Sequence, residues 1–312
     1  MTRGFSLTPD TEHHEFSGVA YGLLGSCIWG ACMAVSSEGI ADGFSAEDLV
    51  FLRYLTSGLL LLPLLALSNL FRQVGWTRAL LLTLLAGPVF AVLAAHGFLY
   101  APLVHGTVVQ AATLILSGLL LIWWRSKSEP RFSYLAALLV LLVGLAAVAG
   151  PLQPLQQEIS AVWKGDLLFM LAGVMWALFM ALLWYWRVDA LAATVVVAVL
   201  SALLYCPMYL MLHSPLYLSM LDFDQVVEQV LFQGVLSGVF ALHAFNKAVQ
   251  YLGLRKAVLF PAFAPAITML LGMLLFHRVP ALSQWLGFII VAAGLLLGFY
   301  HDTDQPTEKK HE

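Results

Sequence analysis

Long apolar segments alternate with short polar ones from Val19 to Tyr300. About 20 consecutive apolar residues suffice for an α-helix to cross the hydrocarbon core of a bilayer, and segments near this length recur along the chain. We place them at residues 18–38, 48–68, 78–101, 104–124, 132–150, 165–187, 190–213, 228–250, 255–277 and 281–301. The pattern therefore predicts an all-α membrane protein with ten transmembrane helices.

Composition supports a membrane protein. The 312 residues are 61% hydrophobic and 11% charged, with a mean hydropathy of +0.88, whereas soluble domains carry about 25% charged residues. The three cysteines, Cys27, Cys32 and Cys206, lie in apolar segments without the spacing of a disulfide framework or a metal site. We expect no metal, no cofactor and no nucleic-acid partner.

Prolines fall inside four of the predicted helices. Pro63, Pro88 and Pro207 interrupt one helix each, and Pro261 and Pro265 share the ninth. A proline removes a backbone N–H and clashes with the preceding helical turn. A membrane helix tolerates it where neighbouring groups satisfy the freed carbonyls, so we expect bent or opened helices at these positions.

Lysine and arginine are distributed unevenly between the predicted loops. If both termini face the cytoplasm, only three of the fifteen, Arg53, Lys164 and Arg278, lie on the outside or at the outer ends of helices. Cytoplasmic loops of membrane proteins carry the excess of positive charge. We therefore expect a bacterial inner-membrane protein with both termini in the cytoplasm, and a short interfacial helix at Pro215–Leu221 in the long outer connection.

The chain also contains an internal repeat. A shift of 147 residues, the distance from Gly18 to Gly165, brings further rare residue types onto themselves, at Trp29 and Trp176, Met33 and Met180, Gly87 and Gly234, His96 and His243, and Phe98 and Phe245. The predicted units are 18–150 and 165–301, joined by a periplasmic linker at 151–164 and flanked by cytoplasmic tails at 1–17 and 302–312. Five helices per unit is an odd number, so the second unit must enter the membrane inverted, as in many secondary transporters.

Several segments of both units resemble a known family. The openings of the units, Gly18–Ala31 (GVAYGLLGSCIWGA) and Gly165–Leu178 (GDLLFMLAGVMWAL), resemble the first helix of an EamA domain, as Glu47–Tyr54 (EDLVFLRY) resembles the second helix and Ala257–Pro265 (AVLFPAFAP) the fourth. The resemblance covers residues 18–301 and implies the drug/metabolite transporter superfamily. Its members export amino acids, metabolites or drugs.

The sequence departs from that family at the end of the fourth helix of each unit. The family often has a Gly-Glu pair there, whereas this chain has Ile122–Arg125 and Leu275–Arg278. No particular substrate therefore follows from the resemblance.

Two histidines occupy corresponding positions in the repeat. His96 and His243 each lie about five residues beyond the centre of their predicted helix, on opposite sides of the midplane because the two helices run in opposite directions. An ionisable side chain at this depth is costly and is a functional hypothesis. We interpret the pair as gate or proton-relay residues. The alternative is a neutral histidine that binds a helix carbonyl and holds two helices together.

The repeat fails at positions that suit an asymmetric substrate. Asn246 and Lys247 in the second unit correspond to Leu99 and Tyr100 in the first. We predict Tyr100, Asn246, Lys247 and the deeply placed Gln110 as substrate-binding residues, with Asn246 or Lys247 contacting an anionic group. The alternatives are that Lys247 extends to the cytoplasmic headgroups and that Gln110 links two helices.

Trp29 and Trp176 are the duplicated aromatics at mid-helix. Tryptophans at helix ends belong to interfacial belts, but these two lie in the middle of the first and sixth predicted helices. They are predicted to bind substrate in a cavity wall, and interhelical packing is the alternative. Arg53 is expected to pair with Glu38, Glu47 or Asp48.

These features together predict a secondary transporter, an exporter of small organic metabolites such as amino acids, that works by alternating access. Its partners are the solute, the lipid bilayer and, as a candidate coupling ion, the proton; a monomer and a homodimer remain open. A membrane-embedded lipid-head-group enzyme and a non-transporting assembly subunit are the alternatives. The sequence lacks the common nucleophile, metal and phosphate-loop motifs that an enzyme would need.

Overall fold

The computed structural model describes residues 9–101, 103–126, 132–149, 162–213, 218–276 and 279–302. Across these ranges the chain is 90% helix, and they contain no β-strand. Seven helices are long and apolar enough to cross a membrane, namely His14–Ala41, Ala46–Leu67, Trp76–Gly97, Gly106–Trp124, Val162–Tyr185, Ala190–Leu212 and Phe223–Ala257. Three shorter apolar helices lie at Tyr134–Ala149, Phe260–Leu274 and Leu282–Gly298. The predicted helical membrane protein is confirmed, and the count of ten transmembrane helices stays a prediction.

Thirteen α-helices are present in the described part of the chain. The first half contains α1 (Pro9–Ala41), α2 (Ala46–Leu67), α3 (Leu70–Val74), α4 (Trp76–Ala86), α5 (Pro88–Gly97), α6 (Leu103–Ser126) and α7 (Phe132–Ala149). The second half contains α8 (Val162–Tyr185), α9 (Ala190–Leu212), α10 (Phe223–Gln229), α11 (Leu242–Ala257), α12 (Ala264–Phe276) and α13 (Leu282–Asp302). Short 3₁₀ segments lie at Leu218–Met220 and Phe260–Phe263, and a π-helical stretch, Val230–Ala241, joins α10 to α11.

Local sequence explains where α2 and α9 begin. The Ser45 hydroxyl accepts a hydrogen bond from the Asp48 N–H, and the Asp48 carboxylate accepts one from the Ser45 N–H, a reciprocal cap for α2. Asp189 accepts bonds from the first N–H groups of α9 in the same manner. These caps fix the starts of two helices that pack against each other across the halves.

Two of the predicted segments differ in the structure, and a third lies mostly outside the described residues. Residues 9–17, expected as part of a polar tail, continue α1 as helix. The predicted interfacial helix at Pro215–Leu221 contributes only the single 3₁₀ turn at Leu218–Met220, with 214–217 outside the described residues, and α10 then begins at Phe223. Most of the predicted linker, from 151 to 161, also lies outside the described residues.

The prolines affect the helices unequally. Pro63 and Pro207 lie within continuous helices, α2 and α9. Pro88 follows a break at Gly87, where α4 ends and α5 begins, because a proline is favourable only in the first turn of a helix. Gly87 itself has no room for a side chain, since a Cβ there would lie 2.2 Å from the Thr83 carbonyl oxygen.

Helices of the two halves interlock rather than forming separate bundles. The most extensive contacts join α7 to α13, α6 to α8, α2 to α9, and α1 to α11 and α12. Each of these pairs takes one helix from each half. The opening helix of the first half thus packs on the later helices of the second half, and α8 packs on α5 and α6 of the first half in the same way.

Small residues on α1 allow the closest of these approaches. A Cβ on Gly22 would lie 2.5 Å from the Phe260 ring, and one on Gly30 would lie 2.6 Å from the Ala264 carbonyl oxygen. Ser26, between them, donates its hydroxyl to the Phe260 carbonyl at 2.7 Å. The ladder of small side chains therefore holds α1 in backbone contact with the start of α12.

Candidate functional site

The two duplicated tryptophans meet at the centre of the fold. Trp29 on α1 stacks on Trp176 on α8, with ring centroids 5.4 Å apart and an interplanar angle of 26°. Phe245 of α11 presents its edge to both rings, and Phe90 of α5 lies 4.9 Å from Trp176. We call these four side chains the aromatic cluster. All four are less than a tenth exposed, and they come from both halves.

A cavity lies against the aromatic cluster. The space left free inside it is about 30 Å³, which is room for about two water molecules. A second cavity with a free volume of about 30 Å³ adjoins it and shares Trp29, Arg53 and Phe90. The first cavity is lined by Trp29, Arg53, Tyr54, Ala86, Phe90, Trp176, Ser237, Gly238, Ala241, Leu242 and Phe245. The walls are largely apolar, and one full charge faces both spaces.

That charge belongs to Arg53 on α2. Its Nη2 donates to the amide oxygen of Gln233 at 2.6 Å, and its guanidinium also lies near the Tyr54 hydroxyl. The Nε atom is buried without a hydrogen-bond partner in the described structure. The sequence analysis expected Arg53 to pair with a carboxylate. The hydrogen bond that forms is instead to a neutral amide of the opposite half.

A chain of polar side chains fixes Gln233. Its Nε2 donates to the Ser36 hydroxyl at 2.5 Å and lies 3.5 Å from the Gln229 amide oxygen. Gln229 in turn donates to the Val35 carbonyl at 3.0 Å. The two glutamines thus connect the π-helical stretch to α1 and leave the Gln233 oxygen directed at Arg53. Buried amides need such partners because an unsatisfied polar group is costly in a membrane protein.

This polar chain has no equivalent in the other half. A shift of 147 residues takes Arg53 to Leu200 and Gln233 to Ala86, both buried and apolar. Ala86 lines the first cavity and Gln233 lines the second. Within the aromatic cluster, the pair Trp29 and Trp176 is therefore common to both halves, whereas Arg53 with Gln233 is a part of the site that differs.

Buried hydroxyl groups surround the break between α4 and α5. Tyr54 donates to the carbonyl of Ala86, the last residue of α4, at 3.3 Å. Thr83 and Ser201 have buried hydroxyls with no hydrogen-bond partner in the described structure, and both lie against Gly87. An opened helix in a membrane needs polar groups of this kind beside its freed carbonyls.

His96 joins α5 to α2 through a contact with the Glu47 carboxyl group. Its Nδ1 lies 2.9 Å from the Val92 carbonyl oxygen, which can only accept, so Nδ1 carries a proton. Its Nε2 lies 3.0 Å from Glu47 Oε1. A hydrogen bond there requires one further proton, on the imidazole or on the carboxyl group. Both side chains are about a third exposed, so the pair is within reach of solvent.

His243 has a different environment from its counterpart. Its Nδ1 is buried without a hydrogen-bond partner in the described structure, and its ring lies edge-on to Tyr21, with centroids 6.4 Å apart. The corresponding histidines therefore do not form corresponding contacts. Gate and relay roles for both remain predictions.

The remaining predicted residues lie outside the cavity linings. Asn246 is fully buried against α9 and donates to the Thr194 hydroxyl at 2.9 Å. Lys247 reaches Gln250 Oε1 at 3.3 Å. The Tyr100 ring lies 6.0 Å from the Lys164 ammonium group. Gln110 is 1% exposed, and both of its amide atoms lack a hydrogen-bond partner in the described structure.

Sequence reasoning identified the two tryptophans that line the cavity and missed most of its other walls. Phe90, Phe245 and Gln233 carry no motif, because only packing brings them together. The signal for Arg53 was present, however: a charge within the second predicted helix, where the corresponding residue is Leu200. A search for charges that break the repeat would have selected it.

Comparisons with known proteins agree with this fold. Residues 163–300 match the model of the EamA-like transporter family, which confirms the family that the resemblance indicated. No curated protein matches the sequence. One crystal structure, described only as that of a protein, is similar over 93% of this chain and 100% of its own, with a TM-score of 0.68 and 15% sequence identity. At that identity the likeness establishes the fold alone.

Proposed function

We propose that this chain, which carries an EamA-like transporter domain at residues 163–300, is a secondary transporter that exports small organic solutes by alternating access. The family itself implies a small-molecule substrate and a lipid bilayer. The observation that carries the proposal is the cavity between the halves, whose walls include the stacked pair of duplicated tryptophans. A site shared by two related halves is the place around which they can rock.

In this proposal the three shorter apolar helices also cross the bilayer, so that two units of five helices, 18–150 and 165–301, are inverted relative to each other. The reciprocal packing of α1 on the later helices of the second half, and of α8 on those of the first, supports this symmetry. The lysine and arginine distribution supports cytoplasmic termini in a bacterial inner membrane. We infer outward transport from the resemblance to exporters. In a nearly symmetric carrier, the driving gradient sets the direction of net transport.

The mechanism uses the aromatic cluster as the pivot. Trp29 and Trp176 pack against a flat face of the solute. The helices meanwhile separate on one side of the membrane and close on the other. The Gly87 break and the π-helical stretch lie at corresponding positions of the two halves, beside the cavity. Both weaken the regular backbone ladder where bending is needed. The Glu47–His96 contact joins the start of α2 to α5 and breaks when these helices separate.

Reconstituted flux tests the transport proposal. Purified full-length protein in liposomes should move labelled amino acids or related organic solutes down their gradient without any turnover of lipid. Trp29→Ala and Trp176→Ala should abolish that flux, whereas Trp124→Ala, at a helix end and 78% exposed, should retain it. Lipid turnover without flux would replace the transporter by an enzyme.

Labelling from both sides tests alternating access. In a variant without Cys27, Cys32 and Cys206, a cysteine replacing Ala241 in the cavity wall should react with a membrane-impermeant thiol reagent added from either side. Saturating solute should slow both reactions. Leu139→Cys, on the exposed face of α7, provides the control and should stay unlabelled within the bilayer. Reaction of Ala241→Cys from one side only, under all solute gradients, would contradict alternating access.

A further inference from the structure

Arg53 carries a charge that the described structure does not balance. It lies about 10 Å along α2 from the first residue of that helix, at 1.5 Å per residue, within a segment of membrane-spanning length. Its partners are the Gln233 amide oxygen and the Tyr54 hydroxyl, both neutral. An ionised side chain at such depth is expensive and usually faces an ion, a counter-charge or a cavity.

The acidic side chains near the start of α2 have other partners. Glu47 contacts His96 at 3.0 Å. Asp48 caps α2 by accepting from the Ser45 N–H, and the Tyr209 hydroxyl donates to its second oxygen. Neither carboxylate lies within ion-pair distance of Arg53 in the described structure. The guanidinium is therefore left for something that enters the cavity.

Gln233 presents the guanidinium in a fixed orientation. Because Ser36 and Gln229 hold the Gln233 amide nitrogen, its oxygen stays directed at Arg53 Nη2. The Nε of the same planar group has no hydrogen-bond partner in the described structure. A guanidinium with an N–H group left without an acceptor matches a carboxylate, whose oxygens accept charge-assisted N–H bonds.

The cavity beside Arg53 is lined by aromatic rings. The same space that Arg53 lines is bounded by the rings of Trp29, Trp176, Phe90 and Phe245. Aromatic rings of this kind pack best against planar apolar groups. The space left free between the rings is about 30 Å³, so the rings must separate to admit a solute, as they do when the halves rock in the proposed transport cycle.

The geometry points to Arg53 as the anion-binding residue of the solute site, and to small carboxylates with an aromatic body as the substrate class. The carboxylate binds the guanidinium of Arg53 while the ring lies on the aromatic cluster. Gln233 is a positioning residue that acts through Arg53. This inference rests on the proposed function, since it assumes that the cavity is where the transported solute binds.

Three ligands that share one ring separate charge from shape: phenylacetate, phenylacetamide and phenethylamine. Binding of each to the purified full-length protein is measured by equilibrium dialysis and by the ligand-induced rise in melting temperature. Wild type should bind phenylacetate at least about tenfold more tightly than the other two, because only the carboxylate accepts charge-assisted bonds. Equal affinity for all three, or preference for the amine, would overturn the inference.

Variants of Arg53 then test the residue. Arg53→Gln should lose the preference for phenylacetate while its affinity for phenylacetamide changes by less than about twofold, which a merely structural role would not produce. Arg53→Lys retains the charge and should weaken phenylacetate binding by about tenfold, because an ammonium group lacks the planar fork. Arg53→Lys therefore provides the test of the residue if Arg53→Gln does not fold. Arg78→Gln is the matched control, since that guanidinium lies over Trp186 outside the cavity.

Flux in liposomes distinguishes failure of this inference from failure of the proposed function. Transport of phenylacetamide as fast as phenylacetate, with no effect of Arg53→Gln, would overturn the inference and leave the transporter intact. Arg53-dependent binding of phenylacetate without flux of any solute would support the inference and refute transport. The absence of both binding and flux for every ligand would overturn both.

Discussion

The two halves of the molecule differ in the backbone of their third predicted transmembrane helix. In the first half the helix breaks between α4 and α5, at Gly87 and Pro88. In the second half the corresponding residues lie in one helical stretch from Phe223 to Leu252. Its turns widen to a π-helix at Val230–Ala241. A kink at Gly253, with φ of +75°, separates this stretch from the last turn of α11. The local reason is that Val235 stands where Pro88 would fall.

In the fourth predicted transmembrane helix, the second half is the one that is interrupted. In the first half α6 is continuous from Leu103 to Ser126. In the second half the corresponding segment is interrupted by the 3₁₀ turn at Phe260–Phe263 before α12 begins. Pro261 and Pro265 correspond to Leu114 and Gly118, neither of which removes a backbone N–H.

This difference shows how two halves with a repeated sequence can build an asymmetric site. Trp29 and Trp176 occupy corresponding positions in the two halves and form the common centre. In the described residues, the break at Gly87, the 3₁₀ turn at Phe260–Phe263 and the Arg53–Gln233 hydrogen bond each occur in one arrangement without a counterpart at the corresponding positions. The tryptophan pair is therefore shared by the halves, and the charge is not.

The tryptophan pair is the most sensitive part of the comparison. Trp176→Ala should lower the free energy of unfolding by about 3–5 kcal/mol, as loss of a large buried ring does. Trp29→Ala should cost less, because Trp176 also contacts Phe90 and Phe179. Thermal unfolding in detergent measures both. Equal losses of stability for the two variants would contradict the predicted difference between the rings. Losses no larger than that of Trp124→Ala would show that the tryptophan pair does not stabilise the centre.

Exchanging the proline between halves tests the backbone difference. Val235→Pro should destabilise the protein by about 3 kcal/mol, since it removes an N–H from an unbroken helix. Pro88→Val should change stability by about 1 kcal/mol or less, because α5 already begins there. The measurement is again thermal unfolding. If Val235→Pro is tolerated as well as Pro88→Val, the π-helical stretch is not the structural counterpart of the break.

The histidine pair should show the smallest effect on stability. His96→Gln should cost about 1 kcal/mol or less, since partly exposed ion pairs contribute little. It should nevertheless abolish any dependence of flux on an imposed pH gradient, because the Glu47–His96 contact requires a proton. His243→Gln, which lacks that contact, should retain the dependence. A pH-gradient effect that survives in both variants would exclude the histidines as proton carriers.

Much of the fold followed from the sequence because each long apolar segment must satisfy its own backbone hydrogen bonds in lipid as a helix. Trp29 and Trp176 were found for a related reason, since a repeated tryptophan in mid-helix stands out in an apolar chain. The cavity walls were not predictable, because Phe90, Phe245 and Gln233 become neighbours only when the helices of the two halves interlock.

The sequence by itself determined that this is a helical membrane protein whose residues 163–300 match the EamA-like transporter family, because apolar length and repeated residue types are local properties of the chain. Tertiary structure decided which polar groups meet. Asn246 and Lys247, adjacent to a duplicated histidine in sequence, lie outside the cavity linings, whereas Arg53 reaches Gln233, 180 residues away, and faces the cavity. Hydrogen bonds between halves depend on the crossing of helices, and no local pattern records that crossing.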